Sequence, residues 1–166
     1  QSQLQRIALS MKGMSKEEIE QKIVKKDQAE MNSLADVLKL AGVKVTQKED
    51  HLILELQQEY KPGAYVLSPP IAKQMDAVME ALKPFHEKVS ITIIGHADAK
   101  SLSPRNEFLQ DNFDLSAIRA LRALKYTIGK GFPAKYASAR AASFYDRDAR
   151  SLSVEVRLNQ KPGGST

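Results

Sequence analysis

ITIIGHADAK (Ile91–Lys100), SLSPRNEFLQ (Ser101–Gln110) and DNFDLSAIRA (Asp111–Ala120) form the stretch on which the fold turns. Ile91, Ile93 and Ile94 make a short β-branched run that stops at Gly95, the pattern of a buried strand and its end. His96, Ala97 and Asp98 leave that strand end, and a polar loop with Pro104 follows. Asp114 and Ser116 offer helix N-cap chemistry ahead of an apolar-periodic run from Leu115 to Ile128. A carboxylate therefore leaves a strand end near a helix start that carries Arg119. Rigid scaffolds often present functional groups at such junctions. At about 100° per residue, Ala117, Ala120, Leu121, Leu124 and Ile128 share one face of the helix, which predicts that Arg119, Arg122 and Tyr126 project away from the core. The first turns of a helix favour anions through unpaired amides. An Asp and an Arg held together there suit a zwitterion: the Asp accepts from an ammonium and the Arg forks onto a carboxylate, with help from helix amides.

The pairing of GHADA (Gly95–Ala99) with NFDLSAIRA (Asn112–Ala120) resembles the OmpA-like peptidoglycan-binding domain. That family's pattern is a strand, then GHTD, a variable loop, then NxxLSxxRA. Asn112, Leu115, Ser116, Arg119 and Ala120 match the second half, and Gly95, His96 and Asp98 the first, with Ala97 in the place of Thr. Phe113 and Asp114 look more like the MotB (flagellar stator) branch, and Tyr60–Leu67, YKPGAYVL, looks like that branch's FxxGSAxL element. The resemblance spans roughly 43–158. It implies an α+β fold of βαβαββ order, with helices packed on one mixed sheet and an extra N-terminal helix. It also implies that Asp98 and Arg119 hold the ammonium and carboxylate of diaminopimelate in the peptidoglycan stem peptide. Asn112 would cap the loop or helix, Leu115 and Ser116 would offer backbone amides to the ligand carboxylate, and Gly63 would shape the loop beside the pocket. One departure stands out: the family's NRRVEI-like last strand reads SLSVEV here (Ser151–Val156), so both arginines are missing. Arg147 and Arg150, just upstream, are the candidates to replace them.

With 166 residues the chain can form one domain with a proper core plus an extension. The absence of Cys excludes a disulfide frame and any Cys-based metal site. No apolar run approaches the roughly 20 residues of a membrane span, and no signal peptide is visible at Gln1. The resemblance then implies a periplasmic fragment whose inner-membrane anchor lies upstream of Gln1. The net charge of +5 is uneven: Leu115–Thr166 holds ten Lys and Arg against three Asp and Glu. A basic half invites a nucleic-acid reading. Sparse aromatics, no Trp and no recognised binding motif argue against it, and an anionic wall polymer would also favour a basic face.

Along the chain, residues 1–42 read as a polar N-terminus and then a helix opened by the capping box Ser15-Lys16-Glu17-Glu18. Lys16–Glu30 is thin in apolar residues, as a connector or dimerisation helix would be. Met31–Leu40 turns apolar, as a docked segment would, and Gly42 ends it. Strands are predicted at Val43–Thr46 and Leu52–Leu56. A helix opens at Ser68-Pro69-Pro70, with Ile71, Met75, Val78, Met79 and Leu82 on its buried face, and ends at Pro84. After the central strand Val89–Ile94 and the helix from Leu115, Tyr136–Ala142 is a candidate strand. Leu152, Val154, Val156 and Leu158 alternate with polar residues as a one-side-buried strand. Residues 159–166 read as a flexible tail.

His96-x-Asp98 has no third ligand at a suitable spacing, so no metal or other cofactor is expected. Ser116 lacks a nucleophile elbow and a His partner, so no catalysis is expected. The reading is a non-catalytic domain that anchors a membrane complex to the cell wall, of MotB-like stator type. Its partners would be peptidoglycan, a second copy of the chain and a membrane subunit. An OmpA/Pal-type or secretion-system wall anchor is the alternative, and a basic nucleic-acid-binding module the third reading.

Overall fold

The computed structural model of the chain describes residues 13–99, 109–142 and 149–159. The readings of residues 1–12 and 160–166 as unstructured ends, of the loop around Pro104 and of Arg147 as a replacement arginine lie outside these residues. Helix α1 (Lys16–Lys39) opens as the capping box predicts, with Ser15 Oγ accepting from the Glu18 amide at 3.1 Å. It is one continuous helix with two kinds of surface. Met31, Leu34, Ala35 and Leu38 are buried, whereas from Lys16 to Glu30 only Ile19 is. Three apolar residues per two turns suffice to dock its second half.

Five strands form one mixed sheet. They are β1 (Lys44–Gln47), β2 (Leu52–Glu55), β3 (Val89–Gly95), β4 (Ala137–Ala141) and β5 (Leu152–Leu158), in spatial order β1-β2-β5-β3-β4. All neighbours are antiparallel except β3 and β4. A parallel pair needs a crossover, and helix α3 (Asn112–Gly129) supplies it. Helix α2 (Pro69–Leu82) connects β2 to β3. The three helices cover one sheet face, with Leu52, Leu54, Ile91, Ile93, Val154 and Val156 facing Leu34, Leu38, Ile71, Met75 and Leu82 in a single core. Each such side chain contributes about 1.5–3 kcal/mol of burial. The α+β architecture with an extra N-terminal helix is as expected from the sequence.

The topology brings four chain segments to one end of the sheet. The register Gly95↔Leu152 sets the end of β3 beside the start of β5. The chain beyond β2 continues along the same edge, with the Leu56 amide bonded to Leu152 O at 3.1 Å and the Tyr60 amide to Arg150 O at 2.6 Å. The first turns of α3 lie against Gly95, closely enough that a Cβ there would stand 1.9 Å from Ser116 O.

Two expectations for α3 need correction. The helix starts at Asn112, not Leu115, because Asp111 is the N-cap: its Oδ1 accepts from the Asp114 amide at 2.9 Å. Asp114 reaches back to the Gln110 amide at 2.8 Å, so these two carboxylates share the capping expected of Asp114 and Ser116. The buried face is Leu115, Ser116, Arg119, Ala120, Ala123 and Thr127, whereas Ala117 and Leu121 are exposed. Close backbone approach at Gly95 favours small residues at the contact, so apolar periodicity alone misplaces the phase.

Candidate functional site

Arg119 is fully buried, at 0% exposure, contrary to the expectation that it projects outward. Its guanidinium is held by backbone carbonyls. Nε donates to Ala64 O at 2.7 Å, Nη1 to His96 O at 2.9 Å and Nη2 to Lys61 O at 3.4 Å. The Tyr60 ring lies against it, with Cζ 4.6 Å from the ring centroid. Hydrogen bonds from a charged donor are among the stronger ones, and three together offset much of the burial of the charge. Burial draws the Arg119 pKa down to about 10, with the Tyr60 and Asp98 side chains acting in the opposite sense. The group is therefore a cation at neutral pH. Burial likewise pushes the Tyr60 phenol above its usual value, with Arg119 partly offsetting the shift.

The turn that grips Arg119 is written in YKPGAY. The Ala64 amide bonds to Lys61 O at 3.0 Å, and Gly63 sits at φ +73°. Proline at the second position and a positive-φ glycine at the third define a type II turn. Lys61 and Ala64, the turn's two end residues, supply the carbonyls that accept from Arg119. Gly63 thus shapes a loop that touches Arg119 directly.

Asp98 meets a different arginine from the one the motif suggests. Arg150 Nη1 is 2.6 Å from Asp98 Oδ2, and Arg150 Nε donates to Tyr60 O at 2.9 Å. Arg150 Nη2 lies 3.8 Å from Glu59 Oε2. The Asp98 side chain is 18% exposed and that of Arg150 30%. Asp98 and Arg119 interact electrostatically, so the carboxylate paired with Arg150 also favours the charged form of Arg119. Beside it, His96 Nε2 and Ser153 Oγ are 2.8 Å apart and buried. Tyr60 Oη, Asn112 Oδ1 and Ser151 Oγ are buried with no hydrogen-bond partner among the described residues.

The remaining expected site residues have other duties. Asn112 is the first residue of the helix rather than its cap, and its carbonyl accepts from Ser116 Oγ at 2.7 Å. The Leu115 amide bonds to Asp111 O at 3.2 Å. Ser116 lies one residue deeper in the helix. Because α3 starts three residues earlier than expected, the Leu115 and Ser116 amides fall past the turn where amides are unpaired. The Leu115 side chain packs with Ala97 and Leu109 in a small cluster under the site. Tyr60 is a contact the motif reading did not assign, and Arg150 was named there only as a candidate to replace the missing arginines. Their signals were an aromatic opening the YKPG turn and an arginine two residues before the missing pair.

Elsewhere, a cavity of about 420 Å³ lies between α2 and the far end of α3, lined by Asp76, Glu80, Lys83, His86 and Lys130 among others. It shares no residue with the Asp98 cluster, and its mixed charges specify no ligand. Among the described residues, no cluster of His, Asp or Glu could hold a metal ion. No helix among them is long and apolar enough to cross a membrane.

A helix-covered mixed sheet with the Asp98–Arg150 ion pair at one end defines a small α+β domain. The chain belongs to the OmpA family, whose model matches residues 59–157. No curated protein matches by sequence. Among solved structures, a MotB-like protein from Desulfovibrio vulgaris is similar at 19% identity and a TM-score of 0.70, covering 84% of this chain and 98% of that one. The cell wall anchor of the T6SS from Pseudomonas aeruginosa is similar at 15% identity and a TM-score of 0.57, covering 76% and 94%. The periplasmic domain of Helicobacter pylori MotB is similar at 16% identity and a TM-score of 0.60, covering 72% and 81%. At these identities the likenesses establish the shared fold.

Proposed function

We propose that this domain binds the diaminopimelate-containing stem peptide of peptidoglycan, without catalysis, and so fastens a membrane complex to the cell wall from the periplasm. The observation that carries the reading is the Asp98 carboxylate, partly open to solvent just beyond the end of β3, paired with Arg150 and interacting electrostatically with Arg119. A carboxylate can accept from an ammonium while keeping its arginine. Neighbouring guanidinium groups favour a carboxylate beside it. Gly63, Asn112, Leu115 and Ser116 shape the walls of this site, and membership of the OmpA family supports the assignment.

The finer reading is a MotB-like stator subunit, joined to its membrane partner through a segment upstream of Gln1 and working as a homodimer. The likeness to MotB-like proteins supports it, as does the exposed first half of α1, which suits a linker or dimer helix. The likeness to a T6SS cell wall anchor supports the alternative, a secretion-system anchor with the same ligand chemistry. Co-sedimentation with purified sacculi tests the shared claim. The parent is expected in the pellet, and Asp98→Ala and Arg119→Ala in the supernatant, with circular dichroism melts showing which variants are folded. A folded parent that stays in the supernatant refutes the reading.

A further inference from the structure

The two arginines beside Asp98 are not equivalent. All three nitrogens of the Arg119 guanidinium face backbone carbonyls, a tyrosine ring covers it, and none of the residue reaches solvent. For a ligand carboxylate to reach it, the YKPG turn would have to move off those bonds. Arg150 is 30% exposed. Its Nε and Nη1 are fixed by Tyr60 O and Asp98, which lock the plane of the fork. Among the described residues its Nη2 faces only the Glu59 carboxylate, 3.8 Å away and 54% exposed, beyond hydrogen-bonding distance. An anion is thus already drawn to the outer edge of Arg150, and the loosely held Glu59 leaves that edge to a better-placed carboxylate.

The geometry points to Arg150, rather than Arg119, as the group that takes the ligand's carboxylate, with Arg119 as a positioning residue. In this arrangement Asp98 and Arg150 form one recognition unit. Asp98 keeps Arg150 on Oδ2 and accepts from the ligand ammonium. The outer edge of Arg150 takes the carboxylate on the same carbon as that ammonium. Arg119 holds the turn at residues 60–64 and the strand end at His96 in register around them. The inference rests on the reading of this site as a stem-peptide site.

The test is calorimetric titration of the full chain with two synthetic stem tripeptides ending in meso-diaminopimelate. One has its side-chain carboxylate free and the other has it amidated, which removes the anion and keeps the ammonium. The parent is expected to bind the free form about tenfold tighter or better, the loss usual for a missing charge-assisted pair. Arg150→Gln brings the two affinities within about twofold, and Arg150→Lys restores part of the preference. Arg119→Lys melts lower yet keeps the parent's preference. Retention of the preference by Arg150→Gln overturns the assignment, as does its loss in folded Arg119→Lys. Should Arg119→Lys fail to fold, the Arg150 variants decide alone. A parent that binds neither tripeptide refutes the stem-peptide reading itself. A parent that binds both equally refutes only the role of Arg150.

Discussion

Gly95→Ala is the substitution on which the packing argument is most exposed. A Cβ at Gly95 would meet Ser116 O at 1.9 Å, Ser116 C at 2.9 Å and Ala120 N at 3.0 Å. All three atoms are helix backbone, so no rotamer change relieves the clash. Ordinary contact begins near 3.4 Å, so β3 and α3 must part by about 1.5 Å. Forced overpacking of this kind costs roughly 1–3 kcal/mol. The same shift carries Arg119 away from Ala64 O and His96 O, now at 2.7 and 2.9 Å. Loss of one of these two charged hydrogen bonds adds about 1.5–3 kcal/mol. A total of roughly 3–6 kcal/mol is a large part of the stability of a domain. At about 2–4 °C per kcal/mol it lowers the melting temperature by on the order of 10–20 °C. Thermal melts followed by circular dichroism measure this directly. Gly129→Ala is the control: nothing lies within 4 Å of a Cβ there, and Ala within a helix is stabilising by up to about 1 kcal/mol. A Gly95→Ala protein melting within about 3 °C of the parent would show that the helix is not pressed onto the strand end, and the account of Arg119's burial would fail with it.

Tyr60→Phe removes a buried hydroxyl with no hydrogen-bond partner among the described residues, so at pH 7 it should leave the melting temperature unchanged or raise it by the equivalent of about 1 kcal/mol. Because burial raises the folded-state pKa of Tyr60 above the usual phenol value of 10.0, the stabilising effect of the neutral phenol is complete below about pH 10 and is lost as the pH climbs past it. Melts from pH 8 to 11 should therefore fall more steeply for the parent than for Tyr60→Phe. Parallel slopes would contradict the shift. Gly63→Ala places a side chain at φ +73°, costs about 1 kcal/mol, and weakens ligand binding by displacing the Lys61 and Ala64 carbonyls. Gly63→Asn, which tolerates this conformation better, should lose less on both counts. Asp111→Ala removes the α3 cap and lowers stability by about 1 kcal/mol in chemical denaturation.

Much of this fold is legible because its elements carry simple patterns. The alternation of Leu152, Val154 and Val156 and the stripe of Ile71, Met75, Val78 and Leu82 lie on the helix-covered face of the sheet, where an apolar period locates a core. The phase of α3 was not legible, since its contact with β3 is made by Ser116, Arg119 and Ala120. What is selected there is closeness, through Gly95, and hydropathy reports closeness poorly. Nor does local sequence join Asp98 to Arg150, 52 residues apart. That pairing follows from the antiparallel register of β3 and β5, which sets residues just before β5 beside residues just after β3. Motif spacing placed Asp98 and Arg119 in one neighbourhood, but only burial separates the guanidinium that faces solvent from the one that holds the walls.

The most direct test of the central claim is titration of a diaminopimelate-ending stem tripeptide into the parent chain and into Asp98→Asn. The substitution keeps the shape and removes the charge, and the partly exposed pair it breaks contributes only about 1 kcal/mol to folding. The account predicts saturable one-to-one binding by the parent and at least about tenfold weaker binding by a folded Asp98→Asn. Equal affinities for the two folded proteins, or no binding by the parent, would contradict it.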